Sequence, residues 1–251
     1  MYQFFVQEEQ FAGDRISILG SDVNHIKNVL RMKAGERVRV SIAENGRSFF
    51  GTIDTIVDDE VVVLIESEDE NGTELSNHIY LFQGLPKADK MELIIQKAVE
   101  LGVYEVVPVS MKNCVVKLDD KKAAGKVKRW QAISESAAKQ SKRTLIPEIA
   151  MPMSWKEAIK KAEDLDIVLV PYENERGMEA TREVLNSIKP SQSIGIFVGP
   201  EGGFSPEEIE QIAPLAVENG NAHRISLGKR ILRTETAGLA TLSMLIFCLD
   251  E

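Results

Sequence analysis

A small β-rich domain followed by an α/β domain with a parallel sheet is what the sequence predicts, and three observations carry it. Up to about residue 70, short segments alternate apolar and polar residues at the strand period. From His78 onward, apolar runs of strand length alternate with helical patterns, the order that builds a parallel sheet covered on both faces. Between the two regimes lies Glu66–Asn77 (ESEDENGTELSN), polar, acidic and rich in turn residues. The predicted domains are therefore residues 1–71 and 72–251.

In the first domain Arg15–Leu19, Arg37–Ile42, Ser48–Ile56 and Glu60–Glu66 read as strands, with a turn at Glu44-Asn45-Gly46. Ser21 stands as a cap before a short helix, Asp22–Leu30. Within it His25 is read as a packed or capping histidine. Arg31 and Lys33, at the end of the same basic stretch, are candidates for phosphate contacts. Small barrels of this composition commonly bind RNA.

The α/β domain opens with a strand, Ile79–Leu85, ended by Gly84 and Pro86. A helix over Asp89–Leu101 places Met91, Ile94, Ile95, Ala98 and Val99 on one face, and Gly102 follows as its C′ residue. Glu105–Val109 is the second strand. Lys126–Gln140 is a basic helix with Val127, Trp130, Ser134, Ala137 and Ala138 on one side, a spacing that puts Trp130 in the core. Asp166–Tyr172 is a third strand, and a helix around Glu179–Ile188 follows it.

Ser193–Glu208 then reads as a buried strand, a glycine-rich turn and a helix start. Ser205, Pro206 and Glu208 fit N-cap, N1 and N3 of a capping box. The glycines of Gly199-Pro200-Glu201-Gly202-Gly203 let backbone amides approach a ligand closely. Glu201 inside that turn would repel a phosphate, so a nucleoside-like ligand without phosphates is expected. Ala222–Leu227, the turn Gly228-Lys229-Arg230 and a last helix from about Thr234 to Leu249 repeat the arrangement, with Thr234 as N-cap. Two such turns at the carboxyl ends of parallel strands are what an α/β ligand site needs. A P-loop is excluded because His223 stands where its first glycine would be, and no GxGxxG follows the first strand. In the last helix Ala237, Ala240, Thr241, Met244, Leu245 and Cys248 form one apolar stripe, while Leu239, Leu242, Ile246, Phe247 and Leu249 cover much of the rest. A helix so apolar is expected to be buried on two sides, which predicts a homodimer.

The net charge of −9 argues against a nucleic-acid partner when taken alone. Its distribution does not: between Lys112 and Arg143, ten lysines and arginines face three acids. Cys114 and Cys248 are far apart and no CxxC occurs, so neither a metal site nor a disulfide framework is expected, and a reducing, cytoplasmic compartment fits. No signal peptide and no membrane span are expected.

Gly199–Gly203, followed by Leu227-Gly228-Lys229-Arg230-Ile231-Leu232-Arg233-Thr234-Glu235-Thr236-Ala237, resembles the signature pair of SPOUT-class RNA methyltransferases, and within them the RsmE family. His25 through Glu36 is similar to that family's PUA-like N-terminal domain. Gln83–Lys87, Lys90, Lys97 and Glu100–Val103 resemble its first α/β segment, and Gln140–Arg143 with Pro147 the end of its central helix, so the likeness covers essentially the whole chain.

The resemblance implies a PUA-like RNA-binding β-barrel over residues 1–71 and a SPOUT domain over 72–251, with a deep trefoil knot at about 194–251. It implies methylation of N3 of a uridine in 16S ribosomal RNA, with S-adenosyl-L-methionine as cofactor, the small ribosomal subunit as partner, and no metal. The cofactor pocket would be built from Leu169, Val170, Pro171, Tyr172, Val198, Gly199, Pro200, Glu201, Gly202, Ser226, Leu227, Gly228, Ile231, Leu232 and Thr236. Leu227, Ile231 and Leu232 would pack on the adenine ring, and Glu201 would tolerate or assist the sulfonium. Arg233 is the catalytic candidate. RNA contacts would come from Arg31, Lys33, Lys87, Lys90, Lys117, Lys128, Lys142 and Arg143.

Overall fold

The computed structural model describes residues 1–217 and 220–250, and the element counts below refer to those residues. The chain forms two units, Met1–Glu74 with Ala138–Ile146, and Leu75–Ala137 with Pro147–Glu251.

The first unit contains β1 (Tyr2–Val6), β2 (Phe11–Ala12), β3 (Arg15–Leu19), α1 (Ser21–Asn24), β4 (Arg37–Ile42), β5 (Ser48–Ile56) and β6 (Glu60–Glu68). Its strands form one sheet in the order β1-β4-β5-β6-β3-β2, antiparallel except where β1 runs parallel to β4. β1 also approaches β3 without pairing to it, so the sheet curls around Phe4, Ile16, Ile18, Val38, Val40, Ile53, Val61 and Val63. β1 was not anticipated: buried Gln3 interrupts its apolar pattern, and its amide instead donates to Ser41 Oγ at 3.3 Å.

The expected helix over Asp22–Leu30 is present in altered form. α1 passes into a π-helix, His25–Leu30, closed by Arg31 in the left-handed conformation with φ 54°. Ser21 is not the cap; Gly20, at φ 71°, holds that position. Val23 and Ile26 take the core face, which leaves His25 exposed rather than packed. The acidic stretch after β6 is more than a spacer. Glu74 accepts from the Arg143 guanidinium (Nε, 3.1 Å) and from the backbone amides of Thr144 (2.7 Å) and Leu145 (3.2 Å).

The second unit contains β7 (His78–Gly84), α2 (Lys90–Glu100), β8 (Glu105–Ser110), α3 (Asp120–Ser141, whose last residues belong to the first unit), β9 (Glu148–Ile149), β10 (Met153–Ser154), α4 (Trp155–Ala162), β11 (Ile167–Pro171), α5 (Glu179–Ser187), β12 (Ser193–Val198), α6 (Pro206–Val217), β13 (Ala222–Ile225) and α7 (Thr234–Leu249). The strand order is β10-β8-β7-β12-β11-β13, with β9 also beside β8, and every pairing is parallel. The apolar runs in β7, β8, β11 and β12 are buried on both faces, as a sheet covered on two sides requires.

α2 ends as expected. Gly102 has φ 81°, and its N–H donates to Val99 O while Val103 N–H donates to Ala98 O, the Schellman pair. Trp130 is 3% exposed and belongs to the core. α3 starts at Asp120 rather than Lys126. β9, β10 and α4 were not anticipated, since two-residue strands carry no readable period. α4 does carry one legible signal, a capping box in which Ser154 and Glu157 satisfy each other's backbone amides. On α7 the inward face is Gly238, Thr241, Leu242 and Leu245; Cys248 and Phe247 are exposed, so the stripe is rotated from the predicted one.

β7 reaches the glycine turn after β12 through a close backbone contact. A Cβ added at Gly84 would lie 2.7 Å from Pro200 N and 2.8 Å from Pro200 Cδ, closer than any side chain tolerates. Gly84→Ala is therefore expected to destabilise the protein by about 1–3 kcal/mol through overpacking. Denaturant unfolding checks this, and an unchanged midpoint would contradict it.

Candidate cofactor and active site

Three loops leave the carboxyl ends of the adjacent parallel strands β12, β11 and β13, the place where open α/β sheets bind ligands. They enclose a cavity of about 330 Å³, lined by Pro171–Glu173, Glu175 and Arg176 from one loop, Val198–Glu201, Gly203 and Phe204 from the second, and Ser226–Thr234 from the third. Lys90 and Ala237 complete the wall. Val198, Leu227, Leu232 and Ala237 make an apolar lining beside a turn rich in backbone donors and acceptors. Ile231 borders the cavity but is 83% exposed, so it is not packed against protein.

Each loop is held from behind. Gln83, fully buried at the end of β7, donates from Nε2 to Thr234 Oγ1 at 2.9 Å, and that hydroxyl donates to Gly199 O at 2.7 Å. This corrects the N-cap reading of Thr234: Arg233 is the cap residue of α7, while Thr234 is its first residue and turns its hydroxyl to the glycine turn. Asn113 Nδ2 donates to Gly202 O (3.0 Å) and Gly203 O (3.1 Å). After the turn, Glu208 accepts from Ser205 N–H at 2.8 Å and Ser205 Oγ accepts from Glu208 N–H at 3.3 Å, the predicted capping box. Glu208 also accepts from Lys112 N–H at 2.7 Å. In the third loop Thr181 Oγ1 accepts from Ser226 N–H (3.0 Å) and donates to Ser226 O (3.2 Å), and the chain then reverses at Gly228 with φ 98°.

The charge on Glu201 is already met. Lys90 Nζ lies 3.0 Å from the Glu201 carboxylate and 3.1 Å from that of Glu235, and Lys87 N–H donates to Glu201 at 3.1 Å. Burial raises the Glu201 carboxyl, but the Lys90 hydrogen bond and backbone donors outweigh it and hold the group below the usual carboxylate range. Glu235 is held low by the same balance, and the two carboxylates hold the Lys90 ammonium above the usual lysine range. The inference that Glu201 bars phosphate therefore weakens, because the residue faces Lys90 as a structural ion pair.

Pro171, Tyr172, Val198, Gly199, Pro200, Glu201, Ser226, Leu227, Gly228, Ile231 and Leu232, all sequence candidates, line the cavity together with Arg233. Leu169 and Val170 lie buried within β11, and Gly202 and Thr236 are not part of the wall. Among the RNA candidates, Arg31, Lys33, Lys87, Lys117 and Lys128 are exposed. Lys90 is committed to its two carboxylates. Arg143 is 4% exposed and paired with Glu74 inside the first unit, which withdraws it from any RNA surface. Lys142 is partly buried, and burial followed by the nearby Arg39 lowers its ammonium pKa. Sequence reasoning gave no role to Gln83, Asn113 or Thr181. Gln83 had a signal, a polar residue ending an otherwise apolar strand.

Residues 73–246 match the model of an RNA methyltransferase domain, and residues 18–66 that of an RNA methyltransferase PUA domain. These matches define the class: an RNA methyltransferase whose PUA domain precedes, in sequence, an α/β domain with a parallel sheet. The chain is 36% identical over 234 residues to the ribosomal RNA small subunit methyltransferase E of Bacillus subtilis, covering 92% of this chain and 89% of the relative. It is 34% identical to that of Mesomycoplasma hyopneumoniae, over 98% of this chain and 99% of the relative. The crystal structure of the Neisseria gonorrhoeae ribosomal RNA small subunit methyltransferase E bound to S-adenosylmethionine superposes with a TM-score of 0.80 at 32% identity, covering 98% and 97% of the two chains. The chain belongs to the ribosomal RNA small subunit methyltransferase E family.

Lys90→Met leaves Glu201 and Glu235 without their shared cation. Because both carboxyls titrate below their ordinary value of 4.5 in the folded protein, the stability they contribute is present above that pH and is lost as pH falls through the folded values. The stability gap between wild type and Lys90→Met is expected at pH 7 and should close in acid. Denaturant unfolding at both pH values checks it; a gap independent of pH would contradict the assignment.

Proposed function

We propose that this protein methylates N3 of a uridine in small-subunit ribosomal RNA, with S-adenosyl-L-methionine as the methyl donor. The observation that carries the reading is the cavity at the carboxyl ends of β11, β12 and β13. Its volume of about 330 Å³ falls within the range of small-molecule sites, roughly 300–1,000 Å³. The residues suit the cofactor: apolar Val198, Leu227 and Leu232 can cover an adenine ring, and the turn Gly199–Gly203 offers backbone groups to its edge. The Neisseria relative has S-adenosylmethionine bound, which supports the same assignment here.

The cofactor supplies an electrophilic methyl group on a sulfonium. The protein must bring uridine N3 to that methyl, let the N3 proton leave and stabilise the resulting uracil anion. Arg233 lines the cavity at the start of α7, with its backbone carbonyl accepting from Thr236 N–H (2.8 Å) and Ala237 N–H (2.9 Å). An arginine does not act as a base, since its pKa exceeds about 12. Its role is electrostatic: it offsets the charge developing on the base and orients it, while solvent or another group takes the proton. Rate then comes chiefly from alignment of N3, methyl and sulfur. The target base has to leave its stack to reach the cavity.

The same reading includes a homodimer and a knotted threading of about residues 194–251. Phe247, 89% exposed on α7, supports the dimer together with the partly exposed Leu239, Met244, Ile246 and Leu249 of the same helix, apolar side chains that a second subunit would cover.

Two outcomes are expected. Methyl transfer to small-subunit ribosomal RNA should fall in kcat by roughly 10²–10³-fold in Arg233→Ala, with cofactor binding by calorimetry retained; an unchanged kcat would contradict the role. Phe247→Arg should convert a dimer into a monomer by light scattering, and a wild type that is itself monomeric would remove the dimer from the account.

A further inference from the structure

The mouth of the cavity carries more positive charge than the cofactor can use. Arg176, Lys229, Arg230 and Arg233 all line it and all are exposed; Arg233 lies near the Glu235 carboxylate, and the other three have no carboxylate within ion-pair distance among the described residues. Elsewhere in the molecule exposed cations are frequently paired, as Lys112 is with Glu207, Arg129 with Glu92 and Arg47 with Glu68. In a chain of net charge −9, four cations around one opening, three of them unpaired among the described residues, are not a consequence of composition. Three carboxylates share the wall. Glu201 is taken by Lys90, Glu175 lies 3.8 Å from Arg224, and Glu173 is exposed on the β11–α5 loop.

The proposed cofactor does not explain this cluster. S-adenosylmethionine carries a sulfonium, an ammonium and one carboxylate, so it is a net cation whose single anionic group can occupy one or two of these side chains. The remainder would repel it. An anion of several charges arriving from outside is what the cluster fits, and the phosphates of an RNA strand are such an anion. Between the cations, Ile231 is 83% exposed, so the loop presents an apolar side chain flanked by Arg230 and, beyond Leu232, by Arg233. Alternating charge and apolar surface matches a single strand whose phosphates alternate with unstacked bases.

We propose that Arg176, Lys229 and Arg230 form a phosphate-binding rim that holds the RNA backbone on either side of the target nucleotide. The assignment rests on the reading of the cavity as the site of RNA methylation and supplies the substrate contacts that reading lacks. It places RNA recognition on the catalytic domain itself, at residues to which the sequence gave no RNA contact.

The test combines Arg176→Ala, Lys229→Ala and Arg230→Ala and measures binding of protein-free small-subunit ribosomal RNA against salt concentration. Each lost phosphate contact on a single strand lowers the log–log salt slope by about 0.7, so the variant should lose about two units. The denaturant unfolding midpoint of the variant should match wild type, which reports that the domain is folded, and S-adenosylmethionine affinity is measured alongside by calorimetry. The charge-preserving set Arg176→Lys, Lys229→Arg and Arg230→Lys should keep the wild-type slope. An unchanged slope in the alanine variant overturns the proposal, as does a loss of cofactor affinity with the slope intact, since the cations would then serve the cofactor's carboxylate. A wild type that transfers no methyl group while the slope still falls would sink the catalytic reading and leave the phosphate rim standing.

Discussion

The buried hydrogen-bond relay from Gln83 through Thr234 to Gly199 joins three segments that the sequence keeps far apart: the end of β7, the first residue of α7 and the turn after β12. Gln83 is fully buried; its Nε2 also donates to Gly84 O at 3.0 Å while its Oε1 has no partner among the described residues, and leaving the Thr234 hydroxyl without its partners would cost about 1–3 kcal/mol, so the relay ties the start of α7 to the sheet. The cavity depends on that registration. With Gly199 held, Pro200 sits against Gly84, the Glu201 carboxylate reaches Lys87 N–H and Lys90, and Asn113 Nδ2 donates to the carbonyls of Gly202 and Gly203. Arg233 precedes Thr234, so the clamp that shapes the pocket also sets the backbone of the proposed catalytic side chain.

Charge is distributed by the same economy. The segment Lys112–Arg143 is strongly basic in sequence, yet Lys112, Lys122, Arg129, Lys139 and Arg143 each have a carboxylate within ion-pair distance. Exposed pairs of this type contribute little to stability, but they reduce the field such a segment projects. Lys112 shows the effect on its partner: its hydrogen bond holds the Glu207 carboxyl at about 2. The cations left without carboxylates at the cavity mouth are correspondingly conspicuous.

Much of this architecture was legible in the sequence because it follows from local rules. The alternation of strand and helix, the Schellman end of α2 at Gly102, the capping box at Ser205 and Glu208, and the two turns that wall the cavity all depend on residues close in sequence. The failures share a cause. Thr234 has the chemistry of an N-cap, and only the fold reveals that its hydroxyl is taken by Gly199 and Gln83. Glu201 was read as an unpaired charge because Lys90 is distant in sequence. Arg143 was read as part of a basic surface because Glu74 was assigned to a spacer. Partners brought together by tertiary structure decide the state of a charged or hydroxyl side chain, and periodicity carries no information about them. The short β9 and β10 fall outside any periodic signal for a simpler reason, their length.

The central claim is that the cavity directs a methyl group to one atom of one kind of base. Nucleoside mass spectrometry of small-subunit ribosomal RNA, after incubation of purified protein with S-adenosylmethionine, reads this most directly. The account predicts a single new modified nucleoside, N3-methyluridine, at one position. Methylation at a different atom, on another base, or absent altogether would contradict it.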